Sequence, residues 1–221
     1  MTGLPRLRQA VLAARSLDPV ADALRSRLGL GEPFSDPGVG HFGLRNAVFA
    51  LGDTFLEVVS PVRDGTSAGR LLERRGGDCG YMLMFQVDRL ASARARLSER
   101  GVREVFGVEL PQMSEVHLHP GDMRGAIVSL SEPRPGESWL WGGPGWLGRA
   151  ASVRIAAAVV GVRDAPAVGE RWRSVIGGGA GVEVVEDPEE RGLIEVRIAG
   201  AGAGGDREPF TVAGVRFVFA G

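Results

Sequence analysis

The chain is short of several residue types, and each shortage excludes a class of protein. Its 221 residues include a single cysteine, Cys79, which excludes an intramolecular disulfide and a cysteine-based zinc cage. It has no lysine, and its 26 basic residues, all arginine, nearly balance 27 acidic ones, so the net charge is −1. This balance gives no electrostatic reason to expect nucleic acid or a membrane surface as a partner.

Long hydrophobic runs are also missing. No apolar stretch approaches the ~20 residues of a membrane-spanning helix, and the N-terminus lacks the basic and hydrophobic pattern of a signal peptide. We therefore expect a cytoplasmic protein. A chain of 221 residues can bury one large core or two smaller ones.

What the chain does contain is one local pattern that occurs three times. Residues 7–29, 81–101 and 153–177 each combine an apolar run with an amphipathic helix, and short β-patterned runs follow each of them. The pattern recurs at a spacing of about 70 to 75 residues, which indicates one supersecondary unit used three times. We interpret it as a βαβββ module.

The repeat predicts the domain organisation. Residues 1–133 form a two-module domain, residues 134–150 a linker rich in tryptophan, proline and glycine, and residues 151–221 a third module. The tract AGAGGDRE, residues 201–208, is expected to be a mobile loop. The linker tryptophans form either an aromatic lid over a ligand or an anchor across a sheet: Trp139, Trp141 and Trp146.

Four segments resemble the vicinal oxygen chelate superfamily, which includes glyoxalase I, extradiol dioxygenases, methylmalonyl-CoA epimerase and the fosfomycin- and bleomycin-resistance proteins. They are QAVLAARSLDPVADALRSRLGL, DTFLEVVSP, GYMLMFQVDRLASARARL and HLHPGDMRGAIVSL, and they look most like bacterial glyoxalase-like domain proteins. The likeness covers residues 7–133 and is weaker over 153–219. It implies an α+β fold of paired βαβββ modules whose eight strands curl into a cup, with a third module in addition.

Enzymes of this superfamily hold a divalent metal in the cup with one side chain from the first and one from the last strand of each module. In this chain the pattern falls on Gln9, Glu57, Met82 and Ser129, with spacings of 73 residues from Gln9 to Met82 and 72 from Glu57 to Ser129. The family site offers two histidines, or one histidine and glutamine, together with glutamate. An amide, a carboxylate, a thioether and a hydroxyl suit a transition ion poorly. We expect that the ancestral metal is lost and that no cofactor is bound.

Each of these side chains also has a structural interpretation. Glu57 is the one charged residue in the run TFLEVVSP, so it is either a general base or ligand acceptor, or it lies at a solvated rim or pairs with an arginine such as Arg45. Gln9 either orients a ligand carbonyl or hydrogen-bonds Glu57. Met82 and Met84 either line an adaptable apolar pocket or fill the core.

His117 and His119 lie two residues apart in EVHLHP, which places them on one strand face together with Glu115. The pair could bind a metal or serve as acid and base in proton transfer. Alternatively, His119 braces the turn HPGDMRG. Trp172 falls on the apolar stripe of the third helix and is expected in the core.

Three hypotheses follow for function. The first is a metal-independent protein that binds a small organic molecule. The second is a lyase, isomerase or epimerase-like enzyme that uses Glu57 with His117 or His119, with or without a metal. The third is a degenerate relative that acts only through a dimer surface. The first hypothesis places these residues in the cup: Gln9, Phe55, Glu57, Met82, Met84, Ile127 and Ser129.

The odd number of modules predicts a homodimer. An unpaired module would leave an apolar sheet face and exposed edges, and an isologous contact with a second copy would cover both.

Overall fold

The computed structural model describes residues 5–200 and 208–220, so the expected loop lies outside the described residues apart from Glu208. The fold class is α+β, as the sequence predicts. The helices within these residues are α1 Leu17–Leu28, α2 Ser67–Arg75, α3 Leu90–Glu99, α4 Pro120–Met123 and α5 Ala165–Ile176. None of them is long and apolar enough to cross a membrane.

The strands alternate with these helices in the order that the repeat predicts. The first seven are β1 Arg6–Ala13, β2 Leu44–Leu51, β3 Thr54–Pro61, β4 Cys79–Gln86, β5 Glu104–Leu110, β6 Met113–Leu118 and β7 Ile127–Pro133. The other five are β8 Val153–Val162, β9 Val182–Glu186, β10 Gly192–Gly200, β11 Phe210–Val212 and β12 Val215–Phe219.

Modules one and two share a seven-stranded sheet with the order β2-β3-β1-β4-β7-β6-β5. In each module the first strand pairs in parallel with the last, β1 with β3 and β4 with β7, and the modules meet at the antiparallel pair β1–β4. Eight strands were expected. In the described part of module one the missing strand is replaced by a single bridge between Phe34 and Val48 and a 3₁₀ helix at Pro37–Phe42.

The second sheet has the order β11-β12-β10-β8-β9, which differs from the order expected of a third identical module. Here β8 pairs in parallel with β9, the strand directly after α5, whereas β4 of module two pairs in parallel with the last strand of its module. From β11 to β9, the four neighbouring strand pairs of this sheet are antiparallel, parallel, antiparallel and parallel. The four strand pairs from β2 to β7 in the first sheet have the same sequence of directions. The strands described within residues 151–200 and 208–220 thus pair like an abridged pair of modules.

The five-stranded sheet packs on the outer face of the seven-stranded sheet, beside α1 and α3. A glycine permits the approach, since a Cβ on Gly80 of β4 would lie 2.3 Å from the carbonyl oxygen of Leu193 on β10. One apolar core runs through both sheets. The reason for expecting a homodimer, an uncovered third module, is therefore not met, and the oligomeric state stays a prediction.

Capping side chains mark the starts of helices α5 and α2. Helix α5 begins where Asp164 accepts the backbone N–H of Ala167 at 3.1 Å, and it buries Trp172, which is 4% exposed, as the sequence predicts. Helix α2 lies between modules one and two, and the repeat does not predict it. Its start is marked by Thr66, whose hydroxyl oxygen accepts the backbone N–H of Gly69 at 2.9 Å.

Candidate functional site

The inner face of the seven-stranded sheet, called the cup face below, carries two rows of side chains from neighbouring strands. The first row crosses β3, β1, β4, β7 and β6, and the second crosses β3, β1, β4 and β7. All seven residues predicted to line the cup lie in these rows. The first row is Phe55, Gln9, Met84, Ser129 and His117, and the second is Glu57, Val11, Met82 and Ile127.

A cavity of about 1120 Å³ lies over the rows. Gln9, Glu57, Met82, Met84 and Ile127 line it. Two predicted lining residues do not, because they are fully covered: Phe55 and Ser129 are each 0% exposed. The Ser129 hydroxyl has no hydrogen-bond partner among the described residues.

Glu57 lies at the floor of the cavity at the centre of a chain of hydrogen bonds. Its two carboxylate oxygens accept one bond each, from Gln9 Nε2 at 2.7 Å and from Asn46 Nδ2 at 2.6 Å. Trp139 Nε1 donates to Gln9 Oε1 at 2.7 Å, and the backbone N–H of Asp36 donates to Asn46 Oδ1 at 2.8 Å.

These partners determine which way both amides point. An indole N–H and a backbone N–H can only donate, so the amide oxygens of Gln9 and Asn46 must face them. Both amide nitrogens are then directed at Glu57. The carboxylate is held by two donors that cannot turn away without leaving a buried polar group unpaired.

Burial raises the pKa of Glu57 to about 7, and the hydrogen bonds from Asn46 and Gln9 oppose the rise. No cation in the described part of the chain pairs with this carboxylate. The alternative in which Arg45 pairs with Glu57 is wrong, because Arg45 instead lies 3.6 Å from Asp18. Glu57 therefore changes charge near neutral pH without a counter-ion.

A second buried carboxylate, that of Glu115, lies on the cavity wall formed by module two. Glu115 is 3% exposed and accepts hydrogen bonds from Trp141 Nε1, Ser131 Oγ and His117 Nε2, each at 2.6 Å. His117 lines the cavity, and its ring lies 4.9 Å from that of Phe106. Glu115 shares a strand face with His117, as the sequence predicts, but its role as the acceptor of three hydrogen bonds did not follow from the sequence.

His119 does not reach the cavity. Strand β6 ends at Leu118, so the alternation that placed His119 beside His117 does not continue to it. Its ring nitrogen instead accepts the backbone N–H of Gly121 at 3.1 Å and lies 3.0 Å from Arg103 Nη2. The interpretation of His119 as a brace for the turn is confirmed, and its proposed catalytic role loses its geometric basis.

The linker lies across the cup face and anchors there. Trp139 is 1% exposed, and its ring stacks on Phe55 with centroids 6.1 Å apart. Trp141 reaches Glu115 and lines the cavity. The two interpretations of the linker tryptophans thus apply to different residues, with Trp139 as an anchor and Trp141 as part of the cavity wall.

Arg8 supports the linker from below, in a way that the sequence did not indicate. It lies at a register shift between Leu7 and Gln9, a β-bulge that directs its side chain to the cup face. Its guanidinium is 5.3 Å from the Trp139 ring, contacts Gln86 and donates to the Glu137 carbonyl at 3.0 Å. Burial, and to a lesser degree Arg6, lower the pKa of Arg8 to about 10.

The four residues at the superfamily's metal-binding positions, Gln9, Glu57, Met82 and Ser129, do not fit a metal ion. The amide oxygen of Gln9, the one metal-binding atom on that side chain, is taken by Trp139, and the amide nitrogen faces Glu57. Met82 and Ser129 add a thioether and a buried hydroxyl, which bind divalent cations weakly. Within the described ranges, no group of three or more His, Cys, Asp or Glu side chains is placed to hold a metal.

The mouth of the cavity has the opposite charge from its floor. Helix α2 lines one side with Arg70, Arg74 and Arg75, all exposed. Tyr81 also lines the cavity, and burial, with the nearby Glu57, raises its pKa to about 12, so the phenol stays neutral. The three arginines were missed because α2 was not predicted.

Comparison with known proteins gives a family for this architecture. The glyoxalase-like domain family matches residues 10–176. The chain belongs to this family and to the vicinal oxygen chelate superfamily. An ethylmalonyl-CoA/methylmalonyl-CoA epimerase from Cereibacter sphaeroides is 28% identical over 134 residues, which cover 58% of this glyoxalase-like protein and 97% of the epimerase.

Solved structures show the same fold. Methylmalonyl-CoA epimerase from Streptomyces coelicolor, in complex with 2-nitronate-propionyl-CoA, superposes with a TM-score of 0.53 at 20% identity, over 62% of this chain and all of the epimerase. The Mycobacterium tuberculosis methylmalonyl-CoA epimerase gives 0.53 at 23% identity, over 60% of this chain and 91% of its own. At these identities the likeness concerns the fold of the cup.

Proposed function

We propose that this glyoxalase-like protein binds a small organic ligand in the cup without a resident metal. The observation that carries the proposal is the hydrogen-bond chain Trp139–Gln9–Glu57–Asn46. In this chain, protein groups take up the hydrogen-bonding atoms of Gln9 and Glu57, two of the four residues at the superfamily's metal-binding positions. Above it lies a cavity of about 1120 Å³, large enough for a ligand of several rings. Its lining of methionine and aromatic side chains suits an apolar ligand body.

Filling the cup is expected to remove this binding. The neutral dye N-phenyl-1-naphthylamine should bind with a fluorescence increase, and the Met84→Trp variant should bind it at least about tenfold more weakly, because the larger side chain occupies the cavity. Leu147→Trp is the matched control, since Leu147 is 74% exposed and lies outside the cavity. Binding should survive exhaustive dialysis against a chelator. Dye affinity that follows the metal content, or that Met84→Trp leaves unchanged, would contradict the proposal.

A second candidate function, proton transfer of the isomerase type, is supported by the titration of Glu57 near pH 7 inside the cavity. In this case Glu57 takes a proton from a carbon next to a carbonyl group, and His117, on the opposite wall, is the second acid–base group. The similarity to an epimerase at 28% identity is consistent with such chemistry.

The second candidate predicts proton exchange at a carbon acid. Wild-type protein in D₂O should exchange the C2 hydrogen of methylmalonyl-CoA, and Glu57→Gln should slow that exchange by about 10²-fold or more, because the base is lost. NMR of the C2 hydrogen measures the rate. The control is Glu99→Gln, which changes an exposed carboxylate at the end of α3. Exchange that Glu57→Gln does not slow, or no exchange by the wild type, would remove this candidate for that substrate.

A further inference from the structure

The polar groups at the floor of the cavity are arranged to accept hydrogen bonds. Gln9 and Asn46 direct their amide nitrogens at Glu57, while Trp141 and Ser131 donate to Glu115. The remaining floor residues are apolar, among them Met82 and Met84. A ligand head that reaches the floor therefore meets acceptor lone pairs, and its own polar atoms must donate.

When Glu57 is ionised, the floor carries a negative charge that no cation among the described residues compensates. The amides of Gln9 and Asn46 are the hydrogen-bond partners of Glu57, and Glu115 is a second carboxylate on the cavity wall formed by module two. A buried carboxylate without a counter-ion is costly, and a cation that enters the cavity would relieve that cost. An anionic head would meet repulsion from both carboxylates.

Aromatic walls complete the environment. Phe42, Phe106, Tyr81 and Trp141 line the cavity, and the rings of Phe42 and Phe106 lie 5.0 Å apart in an edge-to-face contact. Aromatic faces attract organic cations through their quadrupoles. They also accommodate a hydrocarbon body.

From these observations we propose that the ligand of the cup is an organic amine, bound with its ammonium group against Glu57 and its apolar body between the aromatic walls. This inference rests on the proposed metal-free binding function. The ammonium group of the ligand would then lie where related enzymes hold a metal cation. The acidic floor selects against carboxylate-headed molecules.

Other charged groups face the same cavity. Module two contributes Glu115 and His117, and the loop and 3₁₀ helix before β2 contribute Asp36 and His41. The arginines of α2 line the mouth, where they are exposed and their repulsion is screened over roughly 8 Å at physiological salt. The carboxylates of Glu115 and Asp36 add to the attraction for an ammonium group.

Three probes with one hydrocarbon body separate the possibilities: 4-phenylbutylamine, 4-phenylbutanol and 4-phenylbutyrate. By calorimetry at pH 8, the amine should bind at least about tenfold more tightly than the acid. Between pH 6 and pH 8 the affinity of the amine should rise about tenfold, because Glu57 ionises across this range while the amine stays charged. The affinity of the alcohol should stay constant.

Two variants assign the effect to Glu57. Glu57→Gln should lose the pH dependence and at least about tenfold in amine affinity, whereas Glu99→Gln should behave as wild type. Asn46→Ala removes a donor to the ionised carboxylate and should move the midpoint of the pH dependence above 7. This second variant keeps Glu57 and tests the assignment if Glu57→Gln does not fold.

The results that overturn the inference are distinct from those that overturn the proposed function. If the acid binds as tightly as the amine, or if the pH dependence persists in Glu57→Gln, the amine assignment is wrong while binding in the cup stands. If N-phenyl-1-naphthylamine binds and none of the three probes does, the amine assignment is also wrong. If neither the dye nor any probe binds, both proposals fail.

Discussion

Replacement of Trp139 with alanine is expected to lower the free energy of unfolding by about 3 to 5 kcal/mol, the range for removal of a buried tryptophan. Trp139 is 1% exposed and stacks on Phe55. Its loss also removes the nearest of the three aromatic rings around the guanidinium of Arg8 and leaves the amide oxygen of Gln9 without a donor. Urea unfolding followed by circular dichroism measures the change.

Two companion variants separate packing from hydrogen bonding. Trp139→Phe keeps an aromatic ring but loses the N–H, so it should cost about 1 to 3 kcal/mol through the unpaired Gln9 oxygen. Trp146→Ala is the control, because Trp146 is only partly buried against Phe55. If Trp139→Ala is no more destabilising than Trp146→Ala, the linker is not anchored in the way described.

The stability of the protein is expected to fall as the pH rises from 5 to 8. The folded pKa of Glu57 is about 7, above the ordinary value of 4.5, so in this range the folded state binds more protons than the unfolded state. The free energy of unfolding therefore decreases with pH, by about 3 kcal/mol in total from this one group. Carboxyls with lowered pKa, such as Asp53 and Asp187, act mainly below pH 5.

The difference between wild type and Glu57→Gln isolates this contribution. At pH 5 the variant should be the less stable protein, because its amide nitrogen must face one of two fixed donors, Gln9 or Asn46. As the pH rises the wild type loses stability that the variant keeps, so the gap should narrow. Unfolding curves at pH 5, 6, 7 and 8 measure it. Parallel pH profiles would show that Glu57 does not titrate in this range.

The local pattern predicted much of the fold. The family resemblance placed Gln9, Glu57 and Met82 in the cup, and the alternation of apolar and polar residues along the strands, which is short-range information, agreed with that placement. Helix α5 forms where a capping aspartate, an apolar stripe and a terminal glycine coincide in the sequence. The order of the strands in residues 151–220 depends on pairing between distant segments, which periodicity does not contain.

The site, like the fold, was predictable where it depends on residues close together in the sequence. Glu57 and Gln9 could be found from the strand pattern and the family resemblance, and the structure places both at the floor of the cavity. The covering of Phe55 depends on where the linker folds, and the position of Arg8 depends on a bulge. His119 was misplaced because β6 ends one residue before it. Each of these features arises from tertiary contacts.

The contact of two linker tryptophans with the two carboxylate networks has a spectroscopic consequence. The chain has four tryptophans, and Trp172 lies away from the cup, against the Met123 carbonyl. The indole of Trp141 donates directly to Glu115, and that of Trp139 is one side chain removed from Glu57. Indole emission should therefore respond to protonation or occupancy of the cup, so the protein carries its own optical probe and needs no added label.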